Sequence, residues 1–216
     1  MVFLSKTHQF DYLNFIKYQY NIFKKWEDIK DYQNYNSKEL INNLDKYILH
    51  TIEEIIESKE ELDGINFDNF TNEMCDIVLY LGTVSSILYA LINIKTEIKD
   101  EYSLSLYLTE KYNDNLEKSL NLYLLNYENN HLYDIILLKA VENLINVRRL
   151  WPERKWHKKY KEPSQEELLE RLVENFKQII NTIELIISSL ILIKSPEDIN
   201  KNLIAKHNYI LNLVSK

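Results

Sequence analysis

The apolar positions recur at three- and four-residue intervals along most of the chain, and this spacing predicts helices throughout. Segment 8–26, from His8 to Trp26, carries bulky residues at helical spacing with few breakers. Asp31 to Asn36 reads as a loop, and Asn36 or Ser37 then caps a helix over about 37–62, with Asn36 and Glu39 at capping-box spacing. Leu62 to Asp68 reads as a turn and leads to a helix over about 70–95. The Tyr- and Asn-rich stretch 96–130 is predicted to hold one or two weaker helices. A helix over 132–151 stops before Pro152, Ser164 with Glu167 caps another over about 165–193, and Pro196 opens the last, over about 196–213. No segment alternates polar and apolar residues over a useful length, so strands are not expected. The fold predicted is an all-α bundle, one domain over 1–216, built on helix pairs at 37–95 and 132–193.

Two segments are apolar enough to resemble membrane spans. Ile77 to Ile94 has no charge over 18 positions, and 179–193 carries only Glu184. The first also contains Gly82, Thr83, Ser85, Ser86 and Asn93 and falls short of the roughly 20 apolar residues of a span. A buried bundle helix is expected, with no membrane partner. Helices apolar all round need cover on every side, so a homo-oligomer, a dimer in the simplest case, is expected.

Composition narrows the function. With two glycines in 216 residues the chain has neither a P-loop nor a Rossmann fingerprint. One cysteine, Cys75, excludes a disulfide framework and a Cys-based zinc site and fits a reducing compartment. The N-terminus lacks an apolar run long enough for a secretory signal, so a cytoplasmic protein is expected. The net charge of −7 argues against bulk nucleic-acid binding. A basic island nevertheless runs from Arg148 to Lys161 and contains Arg149, Arg154, Lys155, His157, Lys158 and Lys159. It reads as a local anion site in an acidic chain.

The acidic residues carry the chemistry. Glu54 and Glu57 are three apart on one predicted helix, and Glu73 and Asp76 are three apart on the next, so each pair shares a face. The first pair reads equally well as a solvated face, since Leu44, Ile48, Ile52 and Ile55 form the apolar stripe elsewhere on that helix. The second pair does not. Met74, Cys75, Ile77, Val78, Leu79 and Leu81 surround Glu73 and Asp76, and a buried carboxylate must be protonated, paired or bound to metal. If the helices form a hairpin, all four carboxylates converge. Four oxygen ligands favour Mg²⁺, with Mn²⁺ as a substitute, over zinc. His50, one turn before Glu54, reads as a helix-surface or supporting residue.

Glu53-Glu54-Ile-Ile-Glu57 followed by Glu73-Met-Cys-Asp76 resembles the ExxE…ExxD signature of the all-α nucleoside triphosphate pyrophosphohydrolases, which include MazG and the dimeric dUTPases. The resemblance covers about 40–94. Downstream, Glu142-Asn143-Leu-Ile-Asn146-Val-Arg148-Arg149 resembles the late dimeric-dUTPase motif KNxLNxxR, with Glu142 in place of its lysine. The glycine-containing turn that follows in that family is replaced by Trp151 to Tyr160. Ile52 to Glu57 also aligns with Val141 to Asn146, as a duplicated helix pair would if one copy had become an amide version.

The resemblance implies Mg²⁺-dependent hydrolysis of a (d)NTP, dUTP first, to the monophosphate and pyrophosphate. Glu54, Glu57, Glu73 and Asp76 would hold metal, and Glu57 or Glu53 would orient or deprotonate water. Asn143, Asn146 and Arg149, with Lys155 and Lys158, would bind phosphate. Dimeric dUTPases read uracil with Gln and Asn of the first helix. Here Gln19 and Asn21 are available but not at the family's spacing, and Trp26 could stack on the base or pack in the core. The competing expectations are a single-stranded nucleic-acid binder, using the basic island with Trp151, Trp156 and Tyr160, and a non-catalytic helical interaction protein.

Overall fold

The computed structural model describes residues 3–4, 11–27, 37–96, 129–150 and 164–214. They form six helices: α1 (Tyr12–Trp26), α2 (Ser37–Asp63), α3 (Phe67–Thr96), α4 (Asn129–Arg148), α5 (Gln165–Leu190) and α6 (Pro196–Val214). No strand is present among the described residues, and the all-α expectation holds. The weaker helices expected over 96–130, the Asn36 cap and the basic island beyond Arg149 lie outside the described residues.

Local chemistry sets several ends. Asp11 caps α1 by accepting from the Asn14 N–H, so the helix starts later than the apolar pattern alone suggests. Ser164 and Glu167 form the expected capping box, and Pro196 opens α6. The α2–α3 turn falls within the expected stretch Leu62 to Asp68. The left-handed residue is Ile65, at φ 58°, and not Gly64. A β-branched side chain there costs roughly 1–2 kcal/mol, and Ile65 points out to solvent.

α3 is the central element. It packs against α1, α2, α5 and α6, and Phe70 through Ile92 is almost wholly buried. By length and composition α3 could cross a membrane, and 83% of its apolar window is buried inside the bundle. Its central aliphatic hydroxyls are satisfied locally: Thr83, Ser85 and Ser86 donate to the carbonyls of Leu79, Leu81 and Gly82. The apolar side of α5, which includes Ile179, Ile180, Ile183 and Ile186, is also covered within one chain. Uncovered apolar helices were the reason for expecting an oligomer, and that reason does not hold.

α1 approaches α3 at Gly82. A Cβ there would sit 2.6 Å from Phe15 Cε1 and 2.9 Å from Gln19 Cγ. α6 closes the same side. Asn200 accepts from the Phe3 and Leu4 N–H groups and donates to the Leu4 carbonyl, while His207 packs among Phe3, Phe15 and Tyr18. Burial lowers the His207 pKa to about 4, opposed in part by the Leu203 backbone.

Candidate metal centre

α2 and α3 form the hairpin that the carboxylate spacing requires, and this brings Glu54, Glu57 and Glu73 together. One carboxylate oxygen from each lies within 4.8 Å of the others. Glu54 and Glu73 are half-buried, and Glu57 is exposed at the rim. Such proximity disfavours ionising all three. The Glu54 pKa is pushed up to about 8, by burial first and then by Asp76, Glu73 and Glu57. Glu54 holds a proton in its hydrogen bond to Glu73. Glu73 is also raised, chiefly by burial, with that hydrogen bond opposing.

Asp76 follows one turn along α3, and its Oδ2 accepts from Lys206 Nζ on α6. Burial raises its pKa, and Lys206 opposes this. The expected quartet is therefore a trio plus an ion-paired fourth carboxylate, because a helix 130 residues away in sequence supplies a counter-charge. Nothing in the local pattern pointed to Lys206.

The other expected residues divide. Glu53 is exposed and turned aside, with Oε2 2.9 Å from His50 Nδ1, and the His50 ring stacks on Tyr80 at 5.6 Å. Gln19 is buried and lines a cleft of about 190 Å³ beside the carboxylates. Ile22, Phe23, Tyr47, Leu79 and Ile210 form its apolar walls, and Lys46, His50, Asp76, Tyr80 and Thr83 supply polar groups. Gln19 Nε2 has no hydrogen-bond partner there. At the α1 end of this region, Glu27 Oε1 accepts from Lys46 Nζ and from the Tyr47 hydroxyl, each at 2.9 Å. Tyr80 was missed by the sequence reading, although it sits one helical turn after Asp76. Burial and then Glu54 raise its pKa.

Asn21 is exposed on α1 and does not line the cleft. Two residues place it about 200° around the helix from Gln19. The Trp26 side chain lies outside the described residues. Of the expected phosphate set, Asn143 is engaged within the fold. It is buried in the α4–α5 contact, donating to Thr182 Oγ1 at 2.7 Å and to the Gln178 carbonyl at 3.3 Å. That amide holds two helices together. Asn146 is half-buried and Arg149 exposed on α4, while Arg148 pairs with Asp45 of α2. Lys155 and Lys158 lie outside the described residues.

Three oxygen donors with no cation among them suit a hard divalent ion, and their mutual repulsion is what such an ion relieves. Lys206 competes by neutralising Asp76. Replacing Lys206 with Met is expected to tighten Mn²⁺ binding about tenfold in isothermal titration calorimetry, because the local field becomes more negative and Asp76 is freed. Unchanged or weaker binding would show that Lys206 does not oppose the ion.

Comparison with known protein families, with curated proteins and with solved structures finds no match for this chain.

Proposed function

We propose that this chain is a divalent-metal-dependent nucleoside triphosphate pyrophosphohydrolase of the MazG and dimeric dUTPase type. It would convert a (d)NTP, dUTP first, to the monophosphate and pyrophosphate. The observation that carries this reading is the convergence of Glu54, Glu57 and Glu73 across the α2–α3 hairpin. A second observation supports it. An apolar cleft with a buried amide nitrogen that has no partner, Gln19 Nε2, is lined by Asp76, one turn along α3 from Glu73, as a base pocket next to a phosphate site should be.

Mg²⁺ or Mn²⁺, when bound, neutralises phosphate oxygens and lowers the pKa of a coordinated water. Glu54 and Glu73 would hold the ion from the buried side, and Asp76 would join them on leaving Lys206. Glu57, exposed at the rim, would accept the proton of the attacking water at its carboxylate. Lys206, once free of Asp76, becomes a cation for the outer phosphate oxygens, a role that the later motif assigns to residues such as Arg149. Glu53 orients His50, and His50 packs against Tyr80 beside the cleft. The base would lie between Tyr47, Tyr80 and Phe23, with Gln19 Nε2 donating to a carbonyl of the ring.

The α4–α5 pair offers further support. Across α2–α3 a Glu54–Glu73 hydrogen bond joins the helices, and across α4–α5 the aligned Asn143 bonds to Thr182. A second copy of the hairpin, converted from metal ligands to neutral packing groups, would have this form.

The test is incubation with each dNTP and NTP and Mg²⁺, with products separated by ion-exchange chromatography. The expected products are one monophosphate and pyrophosphate, with turnover abolished by EDTA. No turnover of any nucleotide with Mg²⁺ or Mn²⁺ would overturn the proposal.

A further inference from the structure

A second cavity, of about 590 Å³, lies at the turn end of the α2–α3 hairpin. Its volume falls within the roughly 300–1,000 Å³ of small-molecule sites. α2 and α5 finish beside it, and α3 and α4 begin there. Three large apolar side chains that the fold leaves exposed line it: Ile65 at 74%, Leu192 at 57% and Phe67 at 46%. Tyr133, also in the lining, is buried and held in place. Its hydroxyl donates to the Ser189 carbonyl at 3.2 Å, and its ring meets Phe70 edge-on at 4.9 Å.

The charged groups of the lining are unbalanced. Lys59 Nζ lies between Asp63 Oδ1 at 2.6 Å and Asp134 Oδ1 at 2.8 Å. Two carboxylates thus share one ammonium, and both aspartates remain partly open to solvent. Each carboxylate can accept more than one hydrogen bond, so the polar edge has room and charge for a second cation. Ile65 adds a further sign. It holds a left-handed φ of 58° with Gly64 beside it, a costly position for a β-branched residue. Its exposed side chain gains little from the core. An apolar body seated over Ile65 supplies the burial that the fold withholds.

We infer that this cavity binds a small apolar amine, a molecule with one ammonium group on an aliphatic or aromatic body. The ammonium joins Lys59 at Asp63 and Asp134, which completes an alternating set of two anions and two cations. The body covers Ile65, Phe67 and Leu192. A carboxylate headgroup would meet the surplus negative charge, and a hydroxyl would forgo the attraction. Lys59 lies about 200° around α2 from Glu57, so amine binding here is independent of the proposed reaction.

Isothermal titration calorimetry of the full chain with decylammonium, decanoate and decanol, below the concentrations at which micelles form, tests it. Decylammonium should bind at a single saturable site, about tenfold more tightly than decanoate. Amide shift changes in nuclear magnetic resonance should centre on Ile65, Phe67, Tyr133 and Leu192. Asp63→Asn with Asp134→Asn leaves Lys59 as the charged group among the described lining residues, with His131 neutral. The order should then reverse, with decanoate the tighter ligand. Ile65→Ser with Leu192→Ser should weaken every one of these ligands roughly tenfold. Both pairs alter side chains at the surface, so circular dichroism should stay unchanged. No saturable decylammonium binding, wild-type decanoate binding of equal strength, or shift changes centred elsewhere would overturn the inference. So would an Asp63→Asn, Asp134→Asn variant that keeps the wild-type order.

Discussion

Glu54→Gln will abolish metal-dependent hydrolysis and at the same time raise the melting temperature of the metal-free protein. The two effects have one cause. In the fold Glu54 sits against Glu73 and Glu57 and near Asp76, with its pKa at about 8 against an ordinary value of 4.5. That crowding opposes folding in the absence of a cation and favours binding when a cation is supplied. A neutral amide removes the repulsion and one ligand together. On the proposed mechanism the loss in turnover is about 10³-fold or more, as expected when a metal ligand close to the reacting phosphate is removed.

The stability half depends on pH, and its sign follows from proton counting. Between about pH 4.5 and 8 the folded state holds a proton on Glu54 that the unfolded chain has released, so stability falls as pH rises across that window. His207 acts oppositely. Its folded pKa of about 4 lies below the ordinary 6.5, so stability rises with pH between those values. Where the windows overlap, from about 4.5 to 6.5, the two slopes cancel. Above 6.5 the His207 contribution has ended while the Glu54 slope continues, and the metal-free wild type should lose stability up to about pH 8. In Glu54→Gln that decline should vanish, and the variant should melt several degrees above the wild type at pH 8. Scanning calorimetry in metal-free buffers between pH 5 and 8.5 measures both. A wild-type melting temperature that rises between pH 6.5 and 8 would contradict the crowded-carboxylate account.

Gly82→Val will be among the most destabilising single changes in the protein. Glycine in a helix interior is normally unfavourable, so substitution there gains about 0.5 kcal/mol of helix propensity. Packing opposes that gain and outweighs it. A Cβ at 82 meets the Phe15 ring at 2.6 Å, well inside van der Waals contact. Phe15 cannot withdraw, since it is fully buried between Phe3 and His207. Valine adds two more methyl groups, so α1 must move off α3. The expected cost is about 3 kcal/mol, which for a chain of this size lowers Tm by roughly 6–12 °C. Gln19, whose Cγ is the next contact at 2.9 Å, would shift with α1, so substrate KM should rise before kcat falls. Thermal melts of Gly82→Ala and Gly82→Val should show a graded loss. A stabilised Gly82→Ala would mean that the helices separate at little cost.

Much of the fold was legible because its signals are local. The Ser164–Glu167 box, the Pro196 start and the three-four apolar spacing act within one or two turns of backbone. Spacing alone put Glu54 with Glu57, and Glu73 with Asp76, on shared faces, and the short connection between the helices made a hairpin the economical way to bury both stripes. The turn was less legible. Glycine is the residue expected at a left-handed position, yet Ile65 takes it, because where the chain leaves α2 depends on how α3 must dock.

What the sequence by itself determined is the set of helices and which of their residues face the same way. Tertiary structure decided what each face meets. Asp76 faces Lys206 because α6 packs on α3. Asn143 faces Thr182 because α4 packs on α5, so its amide joins two helices of the fold. Gln19 enters the cleft and Asn21 does not, because α1 is turned so that Phe15 and Gln19 meet Gly82. Helical periodicity arises within a turn or two of chain, whereas the rotation of each helix about its axis is set by side chains packing between segments far apart in sequence.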